Sequence, residues 1–403
     1  MDMKKKLEET YMPDKEARNK RLVVALSGGL NSFVTAYLLK IQKYDLIGVT
    51  VATSWENYKA DASKILACQK NQVEVDSIKE FCHKLGIPHF TVKASDEFKE
   101  EVVESWVAGR ITGTKSNPCW DCHGLRMRLL YQKMLELEAQ GIATGHLAKI
   151  YKQENHHSVY IHTSNDELFD QSGILSRLPH EILLSLVLPL SDLQQKEINK
   201  LGENFGLVPK NKLVQMHGCF EFKSMNTEYL TENVPAKFLK FGDIVGPDNS
   251  QLGDHKGITE FQYGEVYTPV QGRAPESLFL TQLSLTDRKI AVKPGEYFMR
   301  QKLFLNSCTL SEETPWTEPL KGVIKLGETE YTDCWVYPKN VFSAVVETEA
   351  PLRVLEGEIL TVYKKKGKNS KVYLTGEVRY IDEEPQIIQE GIKREKVDYS
   401  TDF

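Results

Sequence analysis

Residues 22–32 read Leu22-Val23-Val24-Ala25-Leu26-Ser27-Gly28-Gly29-Leu30-Asn31-Ser32. The apolar, partly β-branched run from Leu22 to Leu26 has the character of a buried strand. It stops at Ser27-Gly28-Gly29 and gives way to a helical pattern. A Ser-Gly-Gly turn between strand and helix lets backbone N–H groups approach an anion closely. The dipole of the helix N-terminus adds to the attraction. The stretch predicts a strand–loop–helix unit that cradles a phosphate-like group.

The same alternation continues for some 150 residues. Asp45 to Val51 reads as a second strand, Ala62 to Leu85 as a helix, and Ile87 to Val92 as a third strand. A helix that includes Met127 to Leu137 leads into a short strand at Gly141 to Thr144. Such alternation predicts an α/β fold with a doubly wound parallel sheet, helices covering both faces. Ligands of such sheets sit beyond the C-terminal ends of the strands, where Ser27-Gly28-Gly29 and Gly145-His146 both fall. Helical patterns run on through Leu175 to Phe205, and Gly206 supplies a stop.

The texture changes near residue 216. Gly, Pro and short segments dominate to about 290, and short alternating runs follow at Lys321 to Leu326, Cys334 to Tyr337 and Ile359 to Tyr363. Those runs predict a small antiparallel β barrel. The expected organisation is a leader (1–20), the α/β domain (21–215), a small central domain (216–290), the barrel (291–380) and a tail (381–403).

The 403-residue chain is 41% apolar and 27% charged, with a net charge of −5. No apolar run approaches the roughly 18 residues of a membrane helix, so no membrane partner is expected. The first twenty residues lack the apolar core of a signal peptide, so the cytoplasm is the expected compartment. A polyanionic partner would have to meet local basic patches. Lys364, Lys365, Lys366, Lys368 and Lys371 form one such cluster, which also reads simply as a solvated hairpin.

Seven cysteines in this setting suit thiol or metal chemistry better than a disulfide framework. Asn117-Pro118-Cys119-Trp120-Asp121-Cys122 opens a basic helix and places two sulfurs within reach of one metal or of each other. Cys219 follows the α/β domain in His217-Gly218-Cys219-Phe220. By spacing alone, three readings stay open: a redox dithiol, zinc on three Cys and a His such as His217 or His146, or three thiolates on a 4Fe–4S cluster with one iron free. Cys68, Cys82, Cys308 and Cys334 lie in apolar or helical patterns and read as packing.

Taken together, these signals resemble the tRNA-specific 2-thiouridylases, whose fold is that of the N-type ATP pyrophosphatases. The likeness runs in order through Ala25 to Ser32, Gly48 to Trp55, Leu85 to His89, Asn117 to Cys122, Ala143 to His146, Asp170-Gln171-Ser172, Leu188-Pro189-Leu190 and the Cys219 segment. It covers roughly residues 20 to 260 and weakens in the barrel. The resemblance implies ATP-dependent sulfuration of carbon 2 of a tRNA uridine. It implies that Ala25, Leu26, Ser27, Gly28, Gly29, Leu30, Asn31, Ser32, Val51, Gly145 and His146 bind ATP, with Mg²⁺. Cys122 and Cys219 fall on the catalytic cysteines. Members with Cys at position 119 are associated with a 4Fe–4S cluster, here on Cys119, Cys122 and Cys219. Asn117, Pro118, Asp170 and Gln171 fall near the RNA. The implied partners are tRNA and a sulfur donor, either sulfide or a sulfur-carrier protein.

The chain departs from the family pattern at defined places. Asn31 stands where the loop carries Asp, His123 where Asn follows the catalytic Cys, and Phe169 where Lys precedes Asp-Gln-Ser. Leu326-Gly327 occupies the place of an Arg-Tyr pair. These departures keep two alternatives in view: a paralogue that binds RNA or nucleotide without thiolation, and an ATP-independent iron–sulfur enzyme acting on thiolated bases.

Overall fold

The computed structural model describes residues 20–53, 72–112, 114–153, 158–207, 230, 234–257, 261–268, 277–284, 287–310, 317–326 and 330–380. Residues 1–19 of the leader, the tail, Trp55, Cys68, His217, Cys219 and Gly327 lie outside them, as does the first part of the helix expected from Ala62. In chain order, β1 (Arg21–Ala25) feeds α1 (Leu30–Ile41), and β2 (Asp45–Ala52) is followed by α2 (Gln72–Leu85) and β3 (His89–Lys93). A helical stretch, Ser95 to Val103, runs into α3 (Glu104–Thr112), then α4 (Pro118–Glu136) and β4 (Gly141–Ala143). The hairpin β5 (Lys149–Lys152) and β6 (Val159–His162) precedes α5 (Ser172–Ser176), α6 (His180–Ser185), β7 (Leu186–Val187) and α7 (Gln195–Asn204).

The first sheet is parallel, in the order β3-β2-β1-β4-β7. Strand alternation sorts its side chains between two faces. Val23, Ile47, Val49, Val51 and Ile142 pack toward Leu125, Met127, Leu130 and Met134 of α4. Leu22, Val24, Leu46 and Ala143 turn the other way, against Ala36 and Leu39 of α1 and Ile78 and Cys82 of α2. Cover on both faces explains why β1 reads as a continuous apolar run rather than an alternating one. The doubly wound parallel sheet expected from the sequence is present.

One element differs from the sequence reading. Leu186–Val187 continues the apolar pattern of α6 but pairs with β4 as the fifth strand. An unbroken apolar run suits a buried helix and a buried strand equally, so periodicity could not separate them.

The second sheet contains β8 (Gly242–Val245), β9 (Gln251–His255), β10 (Val266–Tyr267), β11 (Leu278–Ser284) and β12 (Lys289–Pro294), in the order β10-β11-β12-β8-β9. The third unit is a closed barrel of β13 (Met299–Leu310), β14 (Leu320–Lys325), β15 (Tyr331–Asn340), β16 (Ser343–Arg353), β17 (Ile359–Tyr363) and β18 (Val372–Arg379). Its six pairings are all antiparallel, as the alternating runs predict. The lysine cluster from Lys364 lies in the connection between β17 and β18.

The chain reverses direction across the first sheet between β1 and β4. From β1 it steps outward to β2 and β3, then returns to the far side of β1. That switch point opens a crevice beyond the strand ends, the usual ligand position of such sheets. Here the loop after β1 meets the loop after β4. A Cβ on Gly145 would lie 2.8 Å from the carbonyl carbon of Asn31 and 2.9 Å from the amide nitrogen of Ser32. Both are backbone atoms, which cannot swing away. We expect Gly145→Ala to cost about 1–3 kcal/mol of stability through overpacking. Scanning calorimetry should read this as a fall of roughly 3–10 °C in melting temperature.

Candidate active site

The phosphate-type loop is built by its backbone. Gly28 has φ of 76°, a left-handed conformation that β-carbons disfavour, and it turns the chain from β1 into α1. Gly29 occupies the N-cap with no side-chain cap, and the first turn of α1 carries no acidic residue. Nothing in that turn therefore competes with an anion for the helix dipole. The Ser32 hydroxyl donates to the Gly29 carbonyl at 2.8 Å, which tightens the turn. Ser27, Gly28 and Gly29 are exposed, whereas Leu26 is buried in the core beneath them. Val51 is buried near the end of β2, and Ala25 and Leu30 are half-buried on either side of the loop. The loop residues named from the sequence thus come together, with Gly145 and His146 adjoining them.

Asn31 is not free in this arrangement. Its Nδ2 donates to Gln195 Oε1 at 3.1 Å and faces the Gly145 carbonyl at 3.4 Å. In return Gln195 Nε2 donates to Asn31 Oδ1 at 2.9 Å.

The cysteine pair spans the first two turns of α4, where Asn117 is the N-cap and Pro118 the first helical residue. Pro at that position costs no hydrogen bond, because the N–H there has no intrahelical partner. Cys119 is exposed and Cys122 is buried, and neither is in a disulfide. Spacing of three places them on neighbouring positions of one helix face. Arg126, one further turn along, donates from Nε to Cys122 Sγ at 3.2 Å. Its other arm donates to Thr53 Oγ1 at 2.7 Å, at the end of β2. This bridge was missed from the sequence, although a cation four residues after a cysteine on a helix is a readable signal.

A second bridge starts at His123. Its Nε2 meets Nε2 of His146 at 3.2 Å, and Nδ1 of His146 pairs with Thr144 Oγ1 at 2.8 Å. One of the two facing nitrogens carries the proton and the other accepts it. Desolvation holds His123 well below the ordinary imidazole range, and the neighbouring His146 and the Arg126 charge push the same way. Desolvation takes His146 down to about 4. Both rings are therefore neutral near pH 7.

The residues expected near RNA are tied into the structure. Asn117 Nδ2 donates to the Gly357 carbonyl of the barrel at 2.6 Å. Gln171 Oε1 accepts from the Leu147 amide at 3.1 Å, and Asp170 accepts from the Ser164 amide and the Ser172 hydroxyl. Burial raises the Asp170 carboxyl, while those hydrogen bonds and Lys325 act against the shift. Phe169 beside it is exposed.

Two soft donors one turn apart at a helix start suit a thiolate-bound metal or cluster. Cys219 lies outside the described residues, so the fit concerns Cys119 and Cys122 only. Cys82, Cys308 and Cys334 do not suit such a role, since burial pushes each thiol up to about 12. At the loop, Asn31 is a poor match for a hard divalent cation: it is uncharged and its oxygen already accepts a hydrogen bond.

A family model described as the tRNA methyl transferase HUP domain matches residues 20–221. The tRNA-specific 2-thiouridylase MnmA of Clostridium beijerinckii is 32% identical over 247 residues, covering 61% of this chain and 68% of its own. The enzyme of the same name from Bradyrhizobium diazoefficiens is 31% identical over 287 residues, covering 71% of each chain. Among solved structures, an NH3-dependent NAD synthetase from Campylobacter jejuni aligns with a TM-score of 0.31 at 14% identity, covering 58% of this chain and 85% of that one.

The neutral His123–His146 pair carries a pH signature. With a folded value near 4 against an unfolded value near 6.5, His146 takes up a proton on unfolding between those limits. Its contribution to stability is present above about pH 6.5 and is lost as the pH falls toward 4. Urea unfolding across that range should show a slope in His146→Gln shallower than in the parent by up to about 1.4 kcal/mol per pH unit.

Proposed function

Because this chain belongs to the family of the tRNA-specific 2-thiouridylases, we propose that it is an ATP-dependent sulfurtransferase acting on carbon 2 of a tRNA uridine. The observation that carries this reading is the double tie between the cysteine helix and the strand ends. Arg126 links Cys122 to Thr53 at the end of β2. His123 links the next residue of α4 to His146, beside the glycine that rests on the phosphate loop. A nucleotide held at residues 27–32 and a sulfur held at Cys122 would then share one crevice.

The chemistry requires that proximity. The uridine O2 attacks the α-phosphorus of ATP, the bond to the β-phosphate oxygen breaks, and pyrophosphate leaves. Carbon 2 then carries AMP as leaving group. A sulfur nucleophile adds there, and AMP departs with the original oxygen. The open N-terminus of α1 and the backbone of Ser27-Gly28-Gly29 hold the phosphates. Cys122 and Cys219 act on the sulfur, and Asn117, Pro118, Asp170 and Gln171 shape the surface that meets RNA. Sulfide, free or delivered by a sulfur-carrier protein, provides the sulfur nucleophile.

Cys119, Cys122 and Cys219 are the residues that would hold a 4Fe–4S cluster. Bound on three thiolates, such a cluster supplies an open iron able to carry hydrosulfide. Arg126, already hydrogen-bonded to Cys122 Sγ, offsets thiolate charge at that position.

Anaerobically purified protein with reconstituted cluster, given ATP, sulfide and unmodified tRNA, should form thiouridine detectable by mass spectrometry. Pyrophosphate should appear in roughly equal amount, since each thiolation consumes one ATP. Absence of both products overturns the reading. Separately, Cys122→Ala should lower the iron and sulfide bound per chain, and an unchanged count removes Cys122 as a ligand.

A further inference from the structure

We propose that Gln195 is a positioning residue of the nucleotide loop, forming with Asn31 a neutral amide latch that fixes the loop. The proposal rests on the reading of residues 27–32 as the phosphate-binding loop.

The contact is reciprocal. Asn31 Nδ2 donates to Gln195 Oε1, and Gln195 Nε2 donates to Asn31 Oδ1, at 3.1 and 2.9 Å. The spare hydrogens are used as well. Gln195 Nε2 also donates to Asn199 Oδ1 at 3.0 Å, and Asn31 Nδ2 faces the Gly145 carbonyl at 3.4 Å. Two primary amides matched head to tail leave neither with an unmet donor in a part-buried setting.

Gln195 is held in place independently. It is 8% exposed and begins α7. Its backbone amide donates to Asp166 Oδ2 at 2.8 Å, and the preceding Gln194 forms a capping box with Glu197. Helix α7 is joined to α1 through Ile198 packed with Val34 and Leu38, and through Phe205 stacked on Tyr37. The Gln195 amide therefore arrives at Asn31 on a rigid element, 164 residues away in sequence.

A carboxylate at position 31 would be wrong for this partner. Asp has no N–H, so it would set oxygens against Gln195 Oε1 and the Gly145 carbonyl, two acceptors facing acceptors. The ammonium of a Lys at 195, which only donates, would suit a carboxylate at 31 better. Asn31 is thus matched to Gln195 and is not a carboxylate that has merely lost its charge.

The test uses the full chain with Asn31→Asp, Gln195→Lys and the double variant. Melting temperature is measured without nucleotide, and ATP affinity by calorimetry with Mg²⁺ and with EDTA. Each single variant should melt roughly 3–8 °C lower. Each should also bind ATP at least about tenfold more weakly, while the double variant recovers most of both losses because the pair is coupled. Asn31→Ser should leave the ratio of ATP affinities with and without Mg²⁺ unchanged. If Asn31→Asp does not accumulate folded, Asn31→Ser, Gln195→Ala and their double give the same coupling measurement. Additive losses in the double variant overturn the latch. So does an Asn31→Asp protein that gains stability or Mg²⁺-dependent ATP affinity. If the parent binds no ATP, the proposed sulfurtransferase reading fails, while the melting cycle still decides the latch.

Discussion

Two strand ends meet backbone to backbone at the switch point of the first sheet, and the site depends on that contact. The chain at residue 145 lies directly on the chain at residues 31 and 32, with no room for a β-carbon between them. The approach fixes the loop from below while its upper side stays exposed at Ser27, Gly28 and Gly29. A phosphate-binding loop needs that asymmetry. Its amides must point outward in a fixed array, which requires that its other face be packed rather than solvated. Leu26 beneath the loop, the Ser32-to-Gly29 hydrogen bond within it and Gly145 beside it supply the packing.

Much of this was legible in the sequence. The run from Leu22 to Leu26 with Ser-Gly-Gly behind it has few other uses, because strand, turn and helix start each carry their own residue signature. The barrel was legible for a similar reason: alternation at period two marks half-buried strands even when they are short. The middle sheet was not. Strands of two to seven residues, such as β10 and β8, hold too few positions to establish a period. The two bridges to the cysteine helix were hidden differently. His123 and His146 are close in the fold because α4 runs back along the sheet, and no local pattern encodes that pairing. Gln195 was beyond reach altogether, since an amide carries no charge or periodicity that marks it as a partner.

The barrel is fastened to the site by the segment between β6 and α5. Thr163 exchanges hydrogen bonds with Gly367 and Ser370, and Ser176 meets Thr375 at 2.7 Å. Tyr363 and Val372 of the barrel join the apolar cluster that contains Cys122 and Leu125. Asn117 ties the start of α4 to Gly357. The cysteine turn is thus held between the first sheet and the barrel, and the intervening segment places Gln171 against Leu147, next to His146. Residues far apart in the chain are positioned by one another, so displacement of the barrel would be felt at Cys119 and Cys122.

Two of the departures from the family pattern, Asn31 and His123, share a physical character. Asn31 is paired with Gln195, and His123 is paired with His146. Each side chain finds a polar partner across the crevice. Buried polar networks with every member satisfied stiffen the structure around them, whereas half-satisfied ones are costly. The contacts at both positions are neutral hydrogen bonds, and Arg126 is the cation beside the Cys122 thiol among the described contacts.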